Sequence, residues 1–329
     1  MSDPAGSSPS PTPEEVDGHA KCPKGRVALE GSIVAMPTTF CDGALQLRDL
    51  DDLIRFQSRQ ATTGILLGGS VGEGWALSLD ELGRLVGRAA ESAAKYSNFR
   101  LHVYAGITNI DTRQARSAAV TAAHAGAEAL FLSPPSFARP SLTGLIRHFD
   151  YIAEGLPEDL PMVIVNSPRR TGTDLNPEMV CQLIDAVPKI SAHCEGLGQA
   201  ARARSLASEL PVPVLCADDR MIGPYVRNGA VGAVSVVGGL VPAEVARLVL
   251  EAQREDQRSV RIADGLERNL APLIDALRIA PSAVAVKEAL RALEGISSSE
   301  TRSPLAPLGD QDRRALERSL SAARLLITA

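Results

Sequence analysis

The chain has 329 residues, with 34 basic and 39 acidic side chains and a formal charge of −5. Hydrophobic residues make up 45 %, which is enough for a large core, whereas a mildly acidic chain without a basic block is not expected to bind nucleic acid. No apolar run approaches the ~20 residues that span a bilayer, and the N-terminus has no apolar signal segment, so no membrane partner is expected. The five cysteines are scattered along the chain, which predicts a cytoplasmic protein without disulfide bonds.

The chain begins with a polar segment and then changes to a repeating pattern. Residues 1–28 are rich in proline, serine and small polar residues, which predicts a disordered tail. From residue 29 onward, short apolar runs alternate with longer amphipathic stretches. The runs are rich in valine, isoleucine and leucine, as buried parallel strands are. They lie at residues 32–38, 64–69, 100–106, 128–134, 161–168, 189–195, 212–218 and 232–238.

The amphipathic stretches predict helices, because their apolar residues recur at three- and four-residue spacing. Ser78 and Glu81 form a capping box at the start of one stretch, and Asp111 and Asn176 stand at N-cap positions of two others. Gly126 is placed to end the helix that Asp111 begins. The clearest predicted helices cover residues 47–60, 77–96, 111–126 and 176–188.

Strict alternation of strands and helices predicts a parallel sheet. Eight units of roughly 28 residues favour a closed (β/α)8 TIM barrel over residues 29–255, with a doubly wound open sheet as the alternative. After the barrel, residues 256–329 show no strand pattern and predict a C-terminal helical region. Its three predicted helices cover residues 257–278, 281–294 and 310–327.

Glycine-rich and polar segments follow several predicted strands, at the end of a barrel where chemistry takes place. In chain order these segments resemble the dihydrodipicolinate synthase / N-acetylneuraminate lyase superfamily of class I aldolases. Members of that superfamily typically have GTTGE after strand two, PYYxxP after strand four and YNxPxRTG after strand five. This chain has GSVGE at 69–73, PSFARP at 135–140, VNSPRRTG at 165–172, ADD at 217–219 and GAVS at 232–235.

The resemblance covers about residues 31–325 and implies a fold and a general activity. The fold it implies is a TIM barrel with a C-terminal helical extension. The activity it implies is that of a lyase, aldolase or condensing enzyme acting on a small, 2-oxo-acid-like carboxylate. It also implies a homo-oligomer, either a dimer or a tetramer, and no cofactor or metal is expected.

The family's chemistry uses a lysine at the end of strand six, whose neutral amine forms a Schiff base with the substrate. At that place this sequence has Cys194. Only five of the 34 basic residues are lysine. Lys189 opens the same strand, about 16 Å away at the opposite barrel end, and Lys287 belongs to the C-terminal helices. The resemblance therefore predicts a divergent member that lacks the Schiff-base lysine.

The resemblance also places the proton relay and the acid-binding groups. The relay tyrosine corresponds to Val165, and the tyrosine pair after strand four corresponds to Ser136 and Phe137. Ser70 keeps the first hydroxyl of GTTGE, and Arg170 keeps the RTG arginine, whose planar fork can hold a carboxylate. Catalytic positions are thus Cys194, Ser70 and Val165, and predicted substrate contacts are Gly69, Ser70, Val71, Phe137, Arg170 and Val234.

Cys194 has two interpretations, a thiolate nucleophile or a small apolar group in the place of the lysine. His193 is not expected to be its base, because adjacent residues of a strand face opposite sides. A metal site built from His193, Cys194, Glu195, Asp218 and Asp219 lacks the spacing of known ligand sets, and the two aspartates are expected to cap a helix.

Two functional hypotheses follow from these residues. In the first, the chain is a divergent enzyme that acts on a small carboxylate without a lysine imine. Cys194 or an ordered water then supplies the proton transfer. In the second, it is a catalytically inactive member that binds a metabolite or a protein partner. The retained acid-binding residues favour the first, and the three lost catalytic groups favour the second.

Overall fold

A computed structural model describes residues 29–96 and 101–323; the predicted N-terminal tail and the end of the last predicted helix lie outside them. Within these residues, eight parallel strands close into a barrel in which the last strand pairs with the first. The predicted TIM barrel is therefore confirmed. The strands are β1 (Gly31–Ala35), β2 (Gly64–Leu67), β3 (His102–Ile107), β4 (Ala129–Leu132), β5 (Met162–Asn166), β6 (Ile190–Glu195), β7 (Val214–Cys216) and β8 (Gly232–Ser235).

The helices surround the barrel and bury their apolar faces against it. Among the described residues, no helix is both long and apolar enough to cross a bilayer. The barrel helices are α1 (Leu47–Gln57), α2 (Leu79–Tyr96), α3 (Thr112–His124), α4 (Leu142–Ala153), α5 (Pro177–Ala186), α6 (Ala200–Glu209), α7 (Ile222–Arg227) and α8 (Pro242–Ala252). The C-terminal helices are α9 (Gln257–Ala276), α10 (Ser282–Ala292) and α11 (Asp310–Ala322).

The predicted helix ends are confirmed by their hydrogen bonds. The Ser78 hydroxyl accepts from the Glu81 N–H at 3.1 Å, and the Glu81 carboxylate accepts from the Ser78 N–H at 2.9 Å. The side chains of Asp111 and Asn176 accept hydrogen bonds from the first turns of α3 and α5. Gly126 has a φ of +101°, a conformation that ends α3, as predicted.

All eight strands are shorter than their apolar runs predicted, and two of them show the reason most clearly. The run 161–168 reaches beyond β5, because Pro168 begins a helical turn, Pro168–Thr171. The run 212–218 reaches beyond β7, because Asp218 caps the turn that follows. These corrections move polar residues out of the strands and into the loops that follow β1–β8 at the carboxyl end of the barrel. We call this end the barrel mouth.

One element at the barrel mouth was not predicted. In the loop after β1, Phe40–Cys41 pairs with Ala44–Leu45 as a small antiparallel hairpin. Asp42 and Gly43 both have positive φ, of 51° and 77°. An Asp-Gly pair in this conformation is a favoured two-residue hairpin turn, so the sequence did contain its signal. The hairpin places Phe40 next to the C-terminal residues described below.

Candidate functional site

Cys194 and Val165 lie side by side on the wall of the barrel mouth. The register of β5 and β6 pairs Val165 with Cys194 and Asn166 with Glu195. Paired residues of parallel strands point to the same side, and successive residues alternate. Glu195 contacts Arg202 of α6 outside the barrel, so Cys194 and Val165 face the interior. The two positions where the resemblance expects a lysine and a tyrosine are therefore neighbours.

The surroundings of Cys194 keep its thiol protonated. The residue is 1 % exposed. Burial raises the pKa of the thiol far above its usual range, and the negative charge of Glu195 raises it further. Since a protonated thiol is a weak nucleophile, this environment favours a small apolar group over a thiolate. His193 does not approach the thiol from this side, and its Nε2 lies 3.4 Å from the Glu195 carboxylate.

A buried polar network supports this wall from outside the barrel. The Glu195 carboxylate accepts hydrogen bonds from the Asn166 amide at 3.0 Å and from Arg202 Nε at 2.9 Å. Asp174 accepts from the same amide and from Arg202. Burial alone raises the pKa of Glu195, but His193, Asn166 and Arg202 together outweigh it and lower that pKa. Glu195 is therefore ionised, and its bonds fix the ends of β5 and β6.

Ser70 and Val71 lie in a tight glycine turn after β2. The turn closes with a hydrogen bond from the Gly74 N–H to the Gly69 carbonyl at 3.2 Å. A side chain at Gly74 would overlap the backbone of Gly68, so only glycine fits there. In the part of the chain that the structure describes, the N–H groups of Ser70 and Val71 have no acceptor. Two unpaired donors beside a hydroxyl are groups that can bind a carboxylate.

Glu73, which ends this turn, forms a buried ion pair with Lys287 of α10. The Lys287 ammonium donates to the Glu73 carboxylate at 2.5 Å and to the Glu300 carbonyl at 2.7 Å. The other Glu73 oxygen accepts from the Arg302 N–H at 2.8 Å. The Lys287 ammonium and the Arg302 guanidinium both lie over the Phe40 ring. The pair therefore joins the C-terminal segment to the loops after β1 and β2.

The described lysines do not offer a free amine at Cys194. Burial lowers the pKa of Lys287, as an imine-forming lysine requires, but the contact with Glu73 opposes this shift and holds the ammonium. Lys189 donates to the carbonyls of residues 157 and 158, at the amino end of the barrel as predicted. Lys95 lies on α2 against its neighbour Tyr96. Among residues 29–96 and 101–323, the chain thus supplies no substitute for the missing lysine.

Arg170 lies on the helical turn that follows β5 and is exposed. Within the described residues, no carboxylate pairs with its guanidinium. The guanidinium of an arginine stays charged at neutral pH. A charged fork without a carboxylate partner is a candidate group for binding an acid.

The remaining predicted contacts lie in different surroundings. Val234 is 8 % exposed on β8 and pairs with Ile33 of β1. Phe137 is 89 % exposed and has a left-handed φ of 66°. In a single chain Phe137 therefore lies on the outer rim of the barrel mouth and does not line an enclosed pocket.

The aspartates after β7 hold loops together. Asp218 accepts from the Arg220 N–H at 3.0 Å, which confirms the predicted cap for Asp218 but not for Asp219. Asp219 accepts from the Ser235 hydroxyl at 2.6 Å and from two backbone N–H groups after β8. Protein donors thus occupy both carboxylates. Burial raises the pKa of Asp219, and these bonds counteract the rise.

The partners of Glu73 and Glu195 are not evident from the sequence. Lys287 and Arg302 are more than 200 positions from Glu73, so no local spacing could reveal the contact. Arg202 lies only seven positions from Glu195, but a strand, a loop and a helix start separate them. A buried carboxylate at a strand end requires a hydrogen-bond donor. This requirement predicts that each glutamate has a basic partner, but not which residue it is.

Known proteins share this barrel over nearly the whole chain. Residues 28–323 match the model of the Dihydrodipicolinate synthetase family. The 4-hydroxy-tetrahydrodipicolinate synthase of Pelobacter propionicus is 35 % identical over 290 residues, which are 88 % of this chain and 96 % of that protein. The corresponding protein of Geotalea daltonii is 33 % identical over 293 residues, 88 % of this chain and 96 % of the relative.

Solved structures agree with the sequence relatives. The dihydrodipicolinate synthase of Aquifex aeolicus superposes with a TM-score of 0.84 at 28 % identity, covering 91 % of this chain and all of that one. The 4-hydroxy-tetrahydrodipicolinate synthase of Methylacidiphilum fumariolicum superposes with a TM-score of 0.83 at 32 % identity, covering 90 % and 96 % of the two chains. The chain therefore belongs to the dihydrodipicolinate synthetase family.

Proposed function

We propose that this protein is a divergent lyase, aldolase or condensing enzyme that acts on a small 2-oxo-acid-like carboxylate without a lysine Schiff base. The observation that carries the proposal is the pairing of buried Cys194 with Val165 on the inner wall of the barrel mouth. By resemblance, these positions hold the amine and the phenol of the imine route, and neither side chain can replace them.

The acid-binding half of the site supports a carboxylate ligand. Ser70 offers a hydroxyl, and its N–H and that of Val71 are unpaired within the described residues. Arg170 offers a guanidinium without a carboxylate partner. Gly69 belongs to the same turn, and Val234 of β8 would add an apolar contact. Unpaired donors of this kind gain most when an anion binds, because a charge-assisted hydrogen bond is about twice as strong as a neutral one.

Proton transfer is the step that the proposal must supply by other groups. The Ser70 hydroxyl or an ordered water held beside it would pass a proton, and Cys194 takes part only as a thiol. A thiol can donate a weak hydrogen bond to a substrate oxygen. Val165 and Cys194 make this wall apolar, and an apolar wall strengthens the attraction between Arg170 and an anion.

A non-catalytic, metabolite-binding protein is the second candidate. The observation in its favour is the raised pKa of the buried Cys194 thiol, which keeps this group protonated at neutral pH and prevents it from acting as a base. Such a protein would use the same acid-binding groups and convert nothing.

We also infer a homo-oligomer. Four large apolar side chains are exposed on the loops after β2, β3 and β4 and at the start of α2: Trp75, Leu79, Ile110 and Phe137. These three strands are neighbours in the barrel, so their loops meet at one edge of its mouth. Apolar side chains clustered at one edge are typical of a protein interface.

Binding and exchange measurements separate the two candidates. Pyruvate and its longer 2-oxo homologues should raise the melting temperature of the protein. R170Q should weaken their binding about tenfold. R147Q, on the exposed face of α4, is the matched control and should leave binding unchanged. If the protein is an enzyme, proton NMR in D₂O should show C3 exchange of the bound 2-oxo acid that S70A slows. Binding without exchange selects the metabolite-binding protein, and the absence of binding to any carboxylate contradicts both.

A further inference from the structure

We propose that the acid taken at the barrel mouth also carries a phosphate group, which Arg139 and Arg169 bind beside Arg170 at the rim between the loops after β4 and β5. This inference rests on the proposed function, because it describes the second anionic end of the same ligand. The three arginines form what we call the arginine rim.

The charges of the two loops do not balance within the chain. The loop of residues 133–141 contains one charged side chain, Arg139, and the loop of residues 167–176 contains Arg169, Arg170 and Asp174. Asp174 is already bound, since it pairs with Arg202 at 2.9 Å and accepts from the Asn166 amide. In the described part of the chain, the three rim arginines have no carboxylate partner.

Acidic residues of the neighbouring mouth loops are also occupied. Glu73 pairs with Lys287, and Asp111 caps α3. Asp218 pairs with an arginine of the segment after α9 at 2.8 Å, and Asp219 accepts three hydrogen bonds. The rim therefore has unneutralised positive charge while the acids around it are bound to protein donors. Arranged this way, the charges attract an anion from solution.

Arg139 packs against the neighbouring loop, the one that contains Arg170, although the two residues come from different loops. A methyl group added at Gly172 would meet Arg139 Nε at 3.4 Å and its Cγ at 3.8 Å. The side chain of Arg139 therefore lies against the chain two residues beyond Arg170. Arg139 has a φ of 43°, a left-handed conformation that is rare for arginine, so the loop holds it in an uncommon position.

The number of guanidinium groups favours phosphate over a second carboxylate. One arginine can bind one carboxylate through two parallel hydrogen bonds. Arg170 alone would therefore be enough for a carboxylate. A phosphate monoester has three terminal oxygens and a charge of −1.5 to −2 at neutral pH, so it can use several guanidinium groups at once. Arg139 and Arg169 are the additional groups that such a ligand requires.

Matched ligands test the proposal on the full-length protein. Isothermal titration with 3-phosphoglycerate, glycerate, malate and inorganic phosphate separates the contributions of carboxylate and phosphate. We expect 3-phosphoglycerate to bind at least tenfold more tightly than glycerate or malate, and this advantage to shrink with added salt. R139Q and R169Q should each remove most of the advantage and leave glycerate affinity within about twofold, and R147Q should change neither.

The same titrations would also show whether the phosphate site or the whole acid site is wrong. If glycerate and 3-phosphoglycerate bind equally, or if R139Q and R169Q leave the difference intact, the phosphate proposal is wrong although the carboxylate site stands. A preference for malate over 3-phosphoglycerate overturns it in favour of a dicarboxylate. If the protein binds no acid at all, the proposed function fails together with it. Circular dichroism of each variant excludes loss of folding as the cause.

Discussion

At the scale of single residues, the inner wall of the barrel mouth is defined by what Cys194 and Val165 cannot do. A buried thiol with a raised pKa does not form an imine and does not attack a carbonyl at neutral pH. Val165 has no proton to relay. Ser70 and Arg170, in contrast, keep polar groups that are unpaired within the described residues. These residues therefore support the proposed route, in which the protein binds an acid without forming a lysine imine.

The thiol of Cys194 should be unreactive in the folded protein. Cys41 is exposed and Cys194 is buried, so iodoacetamide at pH 7.5 should label Cys41 and leave Cys194 unmodified. Peptide mass mapping measures both in one sample, and labelling after unfolding in guanidinium provides the control. Modification of Cys194 in the native protein at the rate of Cys41 would support the thiolate nucleophile instead.

At the scale of elements, the C-terminal segment is part of the barrel mouth. Arg302 lies behind the turn that contains Ser70 and binds the Glu81 carboxylate through two nitrogens, at 2.8 and 2.5 Å. Its guanidinium also donates to the carbonyls of Ala76 and Gly43. One arginine thus holds the loops after β1 and β2 and the start of α2 together. Through these loops, the segment after α10 positions the turn that contains Ser70 and Val71.

This tether should weaken in acid. Hydrogen bonds from Arg302, with a smaller contribution from Ser78, lower the pKa of Glu81 from 4.5 to about 2. Because the folded-state pKa is depressed, the stabilisation is present above pH 4.5 and is lost as the pH falls toward 2. At neutral pH it amounts to about 3 kcal/mol of unfolding free energy. In urea denaturation, the unfolding free energies of wild type and R302Q should therefore differ more at pH 6 than at pH 3. The part of this difference that depends on pH should fall by more than half between pH 6 and pH 3.

R147Q serves as the matched surface variant in this series, since Arg147 is exposed on α4. If R302Q destabilises the protein equally at pH 6 and pH 3, the pairing with Glu81 does not provide the stabilisation.

How far sequence predicts each element depends on where its partners lie in the chain. The capping box of Ser78 and Glu81 and the stop at Gly126 are local, so the sequence predicted them correctly. The ends of β5 and β7 were misjudged, because apolar runs continue into turns that Pro168 and Asp218 begin. Contacts that join distant segments, such as those of Lys287, required the folded structure, since burial and not spacing brings the partners together.

At the scale of the whole molecule, the apolar edge of the barrel mouth should hold two copies of the chain together. Phe137 is the most exposed of its members, at 89 %. A charge at this position would be buried in the interface without a partner, which is costly. Sedimentation of F137D should therefore show a smaller species than wild type at micromolar concentration. I279D, on the exposed Ile279 after α9, is the matched control and should leave the mass unchanged. A monomeric wild type would contradict the interface.

Trapping with pyruvate and sodium borohydride tests most directly whether this member of the family works without a lysine imine. Intact-mass spectrometry of the native protein should show no added pyruvyl group after reduction. The double variant C194K/V165Y should form the adduct, because it restores the amine and the phenol at neighbouring positions of β6 and β5. A stoichiometric adduct on the native protein, at Lys287 or any other lysine, would contradict the proposed function.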